Sequence, residues 1–129
     1  MLTASFLLKR GDKDALWAIA NTAVKRRATT QPLGSASSGC IFKNIPLSDA
    51  MRLGTPATTQ SVGYLIDKAG LKSLRVGGAV VSDVHANFIV NNGAATSSDV
   101  VNLTSQLKAE IKSRYGVSLI EEVIIIGQN

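Results

Sequence analysis

From Asp12 to about Arg27 the apolar residues Leu16, Ile19, Ala20, Ala23 and Val24 recur at steps of three and four, with Trp17 beside them. That spacing predicts a helix. Asp12 and Asp14 stand at its positive end and Lys25, Arg26 and Arg27 at its negative end, where each sign of charge favours the helix. A shorter helix is predicted from Thr59 to Ala69, with Val62, Leu65, Ile66 and Ala69 inward and Gly70 as its stop. A third opens at Thr96, where Asp99 completes an approximate capping box and Val100, Leu103, Leu107 and Ile111 form the stripe to be buried. Strands are predicted for "LTASFLL" (2–8), for "LRVGGAVVSD" and "ANFIVNNG" as neighbours, and for the β-branched "GVSLIEEVIIIG" (116–127). "ATTQPLGSASSG" and "IPLSDAMRLGTPATT" read as irregular stretches, the second long enough to be a functional or mobile loop. The order β-α-loop-α-β-β-α-β predicts an α+β domain, a mixed sheet with helices packed on one side.

The closing strand carries an oddity. Side chains alternate faces, so Val117, Leu119, Glu121, Val123 and Ile125 share one side, and Ser118, Ile120, Glu122, Ile124 and Ile126 the other. Each face is apolar with one carboxylate in it. If both faces are covered, at least one glutamate is paired, sits at the mouth of a cleft or is held protonated by its surroundings. The other possibility is that one face is simply solvated.

Composition adds limits. With 129 residues, 45% apolar and 18% charged, the chain reads as one ordinary globular domain over 1–129, without internal repeats. No run approaches the ~18 apolar residues of a membrane helix. "MLTASFLLKR" has its charges after a short apolar run and reads as a strand, not a signal peptide. One cysteine cannot form an internal disulfide, which favours a reducing compartment. The net charge of +5 favours anionic partners. Yet the cations are scattered, grouped only at Lys9-Arg10 and Lys25-Arg26-Arg27, and aromatics are too sparse for a base-stacking platform. A phosphorylated small molecule suits this pattern better than nucleic acid.

The lone cysteine sits in "SSGCIFKN", between flexible Gly39 and the apolar pair Ile41-Phe42, with Lys43 and Asn44 next. A free cysteine most often serves as a small buried apolar residue. The sharper reading is that the thiol gives or takes a proton at a site that Lys43 and Asn44 help build.

"SGCIFKN", then "GYLIDKAGLKSLRVGGAVVSDVHANFIVNNGAATSSDVVNL", then "YGVSLIEEVIIIG" resembles the C-terminal region of the UDP-N-acetylenolpyruvoylglucosamine reductase (MurB) family, over about Thr3 to Gly127. The resemblance implies a flavoprotein of peptidoglycan precursor synthesis in the bacterial cytoplasm, or in a plastid if the source is photosynthetic. There NADPH reduces a bound FAD, and the enolpyruvyl ether of UDP-N-acetylglucosamine becomes the lactyl ether of UDP-N-acetylmuramate. Hydride goes to the methylene carbon, and a serine or cysteine protonates the carbon beside the carboxylate. By the same resemblance Cys40 is the proton donor, a role open to a thiol with pKa near 8.5. Glu122 matches the glutamate that assists at the developing enolate, with Ile120 and Ile124 expected to keep water from it. Asn44, Arg27 and the adjacent Lys43 match the substrate side. His85 and Asn87 receive no role beyond shaping the cleft, and no metal is implied.

Three positions depart from the family's pattern: Thr30 where a lysine is frequent, Ile124 where an arginine is, and Val80 where a glutamine is. Each exchanges a polar or cationic group for one that holds phosphate or carboxylate less well. The family's FAD-binding part precedes this region, and Gly77-Gly78 is too short for a dinucleotide site. The isolated chain is therefore expected to bind no FAD or NADPH and to be inactive alone, with UDP-N-acetylglucosamine enolpyruvate and the N-terminal FAD-binding domain of the same protein as partners. Nucleic acid and membrane are not expected. The alternative is a diverged, non-catalytic stand-alone domain that binds a nucleotide-sugar or a protein.

Overall fold

The computed structural model describes residues 3–127. Four helices, α1 (Lys13–Thr30), α2 (Leu47–Arg52), α3 (Val62–Lys68) and α4 (Ser97–Tyr115), accompany four strands, β1 (Ala36–Cys40), β2 (Arg75–Val76), β3 (Ala79–Val81) and β4 (Phe88–Asn91). The strands form one sheet in the order β1-β4-β3-β2. The α+β class is as predicted. The sheet, expected to be mixed, pairs antiparallel throughout.

Helix α4 follows its sequence signals closely. The Thr96 hydroxyl accepts from Asp99 N at 3.1 Å, and the Asp99 carboxylate accepts from Thr96 N at 2.9 Å, which satisfies two otherwise orphaned donors. Leu103, Leu107 and Ile111 are buried and Val100 packs at the margin, while Gly116, with φ +68°, ends the helix in the left-handed conformation. The helix lies against β2 and β3, and Ala79, Val81 and Ile89 join its stripe in the core. Helix α3 is shorter than predicted: Ser61 caps it by accepting from Tyr64 N at 3.3 Å, so Thr59 and Gln60 stay outside. Gln60 instead closes the 45–60 segment, exchanging its backbone carbonyl and side-chain amide with the two main-chain groups of Ile45, each at 2.9 Å. That segment is folded rather than loose. It contains α2, which buries Ala50, and a turn of 3-10 helix at Pro56–Thr58.

Four expectations change. Residues 3–11 form no strand, and Leu2 lies outside the described residues; Phe6, Leu7 and Leu8 find no ladder partner among the described residues and stay exposed. Helix α1 forms, capped by Asp12 accepting from Ala15 N at 2.7 Å, but it buries none of its residues, and its apolar stripe faces solvent. The stretch 28–39, read as a loop, holds the end of α1 and most of β1. The strand's small polar residues carry no β signal, and its pairing with β4 makes it a strand. The closing stretch 116–127 has only one bridge, Glu121 with Phe42. Its alternation is nonetheless real: Val117 and Leu119 are buried and Glu121 and Val123 half-buried, while Ile120, Glu122 and Ile124 are exposed. The Glu121 carboxylate meets Lys108 of α4 at 2.6 Å.

The β2–β3 hairpin turns on Gly77-Gly78, and the start of α4 is packed against it. A Cβ on Gly78 would stand 2.3 Å from Ala95 N. Gly78→Ala is therefore expected to cost about 2 kcal/mol of unfolding free energy. Gly34, with open space around it, should accept alanine within about 0.5 kcal/mol. Urea titrations of both variants check the contrast, and equal costs would mean the hairpin yields.

Lys108 holds the Glu121 carboxyl below its ordinary range, chiefly through their hydrogen bond. A depressed folded value stabilises above the unfolded value and is lost as pH falls through the folded one. Glu121→Gln should cost about 0.5 kcal/mol at neutral pH, as befits a partly exposed pair. The gap from the unmodified chain should close in acid. A gap that persisted at low pH would show that something other than the ion pair ties this segment to α4.

Candidate functional site

The candidate site begins with an irregularity in β1. Ser37 pairs with Val90 and Cys40 with Phe88, so three steps on β1 match two on β4. The extra residue makes a bulge, and Gly39 carries the positive φ of +89° that glycine adopts readily. The bulge turns Cys40 onto the face of Phe88 and Val90, opposite the one on which Ile89 meets the α4 core. The thiol is free and half-buried there.

After Cys40 the chain passes between two other segments. Ile41 N donates to Asn87 O at 2.8 Å, and Phe42 N donates to Asn87 Oδ1 at 3.0 Å. On the other side Glu122 N donates to Ile41 O at 2.7 Å and Lys43 N to Ile120 O at 2.9 Å. Ile41 and Phe42 are themselves buried in the core, which anchors the ribbon. This lacing brings Glu122 from the closing segment to Cys40. Burial raises the thiol pKa above its ordinary value, the Glu122 charge raises it further, and the neighbouring Asn87 side chain pulls the other way. The thiol thus stays protonated at neutral pH, as a proton donor must.

Lys43 and Asn44 follow on the same ribbon, both exposed. The apolar screen expected around Glu122 is absent, because Ile120 and Ile124 project into solvent beside it with 63% and 86% of their surfaces exposed. Only the other face of that segment is covered by core. Arg27 is not brought to the thiol. It lies in the last turn of α1, bonds Gln31 Oε1 at 3.2–3.3 Å, and lines an open cleft of about 830 Å³ with Arg26, Thr30 and His85. Since α1 is not packed into the core, nothing draws its cations further in. Of the departures, Thr30 is on this cleft wall, Val80 is half-buried in β3 and Ile124 is in solvent.

His85 and Asn87, left without chemistry by the sequence, are central to the geometry. Asn87 N donates to His85 Nδ1 at 3.2 Å, so the neutral ring carries its proton on Nε2, and His85 also lines the α1 cleft. Burial lowers the His85 pKa and keeps it neutral near pH 7. A single asparagine in the turn before a short strand has no periodic signal that would have flagged it. Among the described residues no three His, Cys, Asp or Glu side chains converge as a metal site, and no helix is long and apolar enough to cross a membrane. Gly77-Gly78 does not fit a dinucleotide: a Cβ on Gly77 would stand 2.5 Å from the Asp99 carboxylate, which would repel a pyrophosphate there.

Residues 31–126 match the family model described as UDP-N-acetylenolpyruvoylglucosamine reductase, C-terminal domain. A UDP-N-acetylenolpyruvoylglucosamine reductase of Desulfosudis oleivorans is 45% identical over 117 residues, 91% of this chain and 34% of the relative. One of Alkalilimnicola ehrlichii is 41% identical over 121 residues, 94% of this chain and 37% of the relative. The crystal structure of the Thermus caldophilus reductase superposes with a TM-score of 0.63 at 32% identity, covering 86% of this chain and 35% of that one. The chain thus spans about a third of the length of these relatives. It belongs to the UDP-N-acetylenolpyruvoylglucosamine reductase family and corresponds to that family's C-terminal domain.

Proposed function

We propose that this chain is the substrate-binding and proton-donating part of a flavin-dependent reductase that converts UDP-N-acetylglucosamine enolpyruvate to UDP-N-acetylmuramate in the cytoplasm. The observation that carries the reading is the meeting of Cys40 with Glu122, two residues far apart in sequence, on one ribbon edge. In that reaction FAD and NADPH supply the hydride, and the N-terminal part of the relatives, beyond this chain's span, would hold them. The residues here do proton chemistry. When reduction at the methylene carbon leaves an enolate, the Cys40 S–H bond breaks and a C–H bond forms beside the carboxylate. The thiolate then takes a proton back from water. The carboxylate of Glu122 favours the protonated thiol and so keeps the proton on sulfur until the enolate forms. Lys43 and Asn44 are the polar groups nearest along the chain for the substrate's carboxylate, and Arg27 offers charge to its phosphates from α1.

A second reading, a non-catalytic module for a nucleotide-sugar or a protein partner, is favoured by uncharged Thr30 on the wall of the Arg27 cleft. It predicts binding without any substrate-driven reoxidation of flavin.

In the flavin-loaded full-length protein, Cys40→Ala should stop reoxidation of reduced flavin by substrate, while reduction by NADPH proceeds. Cys40→Ser should keep part of the rate. Normal turnover by Cys40→Ala would leave Cys40 as a packing residue and end the reading. In the same single-turnover assay Glu122→Gln should slow reoxidation on the order of a hundredfold, and Glu121→Gln should leave it unchanged. A larger effect at Glu121 would place the wrong carboxylate in the site.

A further inference from the structure

We propose that Asn87 is a positioning residue for the Cys40 thiol: its buried carboxamide clasps both main-chain groups of Phe42 and so fixes the distance from the thiol to Glu122. The proposal rests on the proton-donor reading above, and the geometry behind it is local. Strand β4 begins at Phe88, so the ladder with β1 ends at Cys40. The chain nevertheless continues as an extended ribbon into the core, where unpaired peptide groups are costly. Asn87 replaces the missing ladder. Its backbone O takes the Ile41 N–H, its Oδ1 takes the Phe42 N–H, and its Nδ2 donates to Phe42 O at 2.8 Å. A carboxamide can do this because it presents one donor and one acceptor side by side, as a peptide does. Asn87 is only 4% exposed, and its own N–H is held by His85. The opposite edge of the ribbon carries Glu122 through the Ile41 carbonyl. Thiol and carboxylate are thus set by one clasp, and the Asn87 side chain that makes it also lies beside the thiol. Serine is too short to reach both Phe42 groups, and aspartate lacks the donor.

The test uses the chain's single cysteine, whose alkylation by iodoacetamide reports on Cys40 alone. The quantity read is the pH of half-maximal alkylation rate at low ionic strength, where surface charges are least screened. In the unmodified background, Glu122→Gln removes a negative charge near the thiol and should lower this midpoint. In Asn87→Ser and Asn87→Asp backgrounds the same substitution should lower it by less than half as much. Each comparison is made within one background, so the charge that aspartate adds cancels. Loss of stability alone, as in a Val62→Ala control elsewhere in the core, should leave the Glu122 effect at full size. An undiminished Glu122 effect in a folded Asn87 variant overturns the proposal, and so does the absence of any Glu122 effect in the unmodified chain. Normal turnover by Cys40→Ala would instead end the proton-donor reading while this coupling persisted, so the two failures are distinct.

Discussion

The peptide groups of Ile41, Phe42 and Lys43 enter the interior where the regular ladder has run out, and each needs a partner that the sheet no longer supplies. Partners come from two directions: Asn87 on one edge and the 120–122 segment on the other. Segments far apart in sequence are thereby tied to one short ribbon. Core burial of Ile41 and Phe42 then makes the tie rigid, because the ribbon cannot slide without exposing both side chains. The candidate chemistry stands on the rim of this arrangement, half in the protein and half in solvent.

That position suits a proton donor. A thiol wholly in the core could not meet a substrate, and one wholly in water would ionise more readily. Partial burial and a neighbouring carboxylate keep the proton on sulfur while leaving the group reachable. Glu121 and Glu122 divide the labour that their adjacency imposes. One reaches back to Lys108 and ties the segment to α4, and the other is free to face outward.

Much of this was legible in the sequence, though unevenly. Helix α4 announced itself because its cap and stripe agree, whereas "LRVGGAVVSD", read as one strand, folds back at its glycine pair into β2 and β3. The alternation at 117–124 identified the two glutamates as opposed, before any resemblance assigned one a role. Strand β1 was hidden because alanine, serine and glycine carry no β preference, and only β4 makes them a strand. The opposite error came at 123–126 and 6–8, where side chains favour a strand but the main chain has no neighbour to pair with. Helix α1 shows the same limit: its spacing specifies a helix, not what will cover its apolar side. Asn87 was invisible because its importance lies in hydrogen-bond geometry and not in any repeat.

The bulge at Gly39 makes the site depend on one backbone conformation more than on the side chains beside it. Ser37 and Ser38 are exposed, and Ser37 meets Val90 through the main chain, so the serine side chains bear little on where the thiol points. The conformation of Gly39 bears on it directly. Because side chains alternate, a regular ladder over the same residues would set Cys40 opposite Asn87 and swing the thiol to the other face, toward the α4 core. A substitution at either serine is a change of surface, whereas a side chain at Gly39, disfavoured at φ +89°, would press the strand toward that other register while leaving Cys40 and Glu122 present in the sequence.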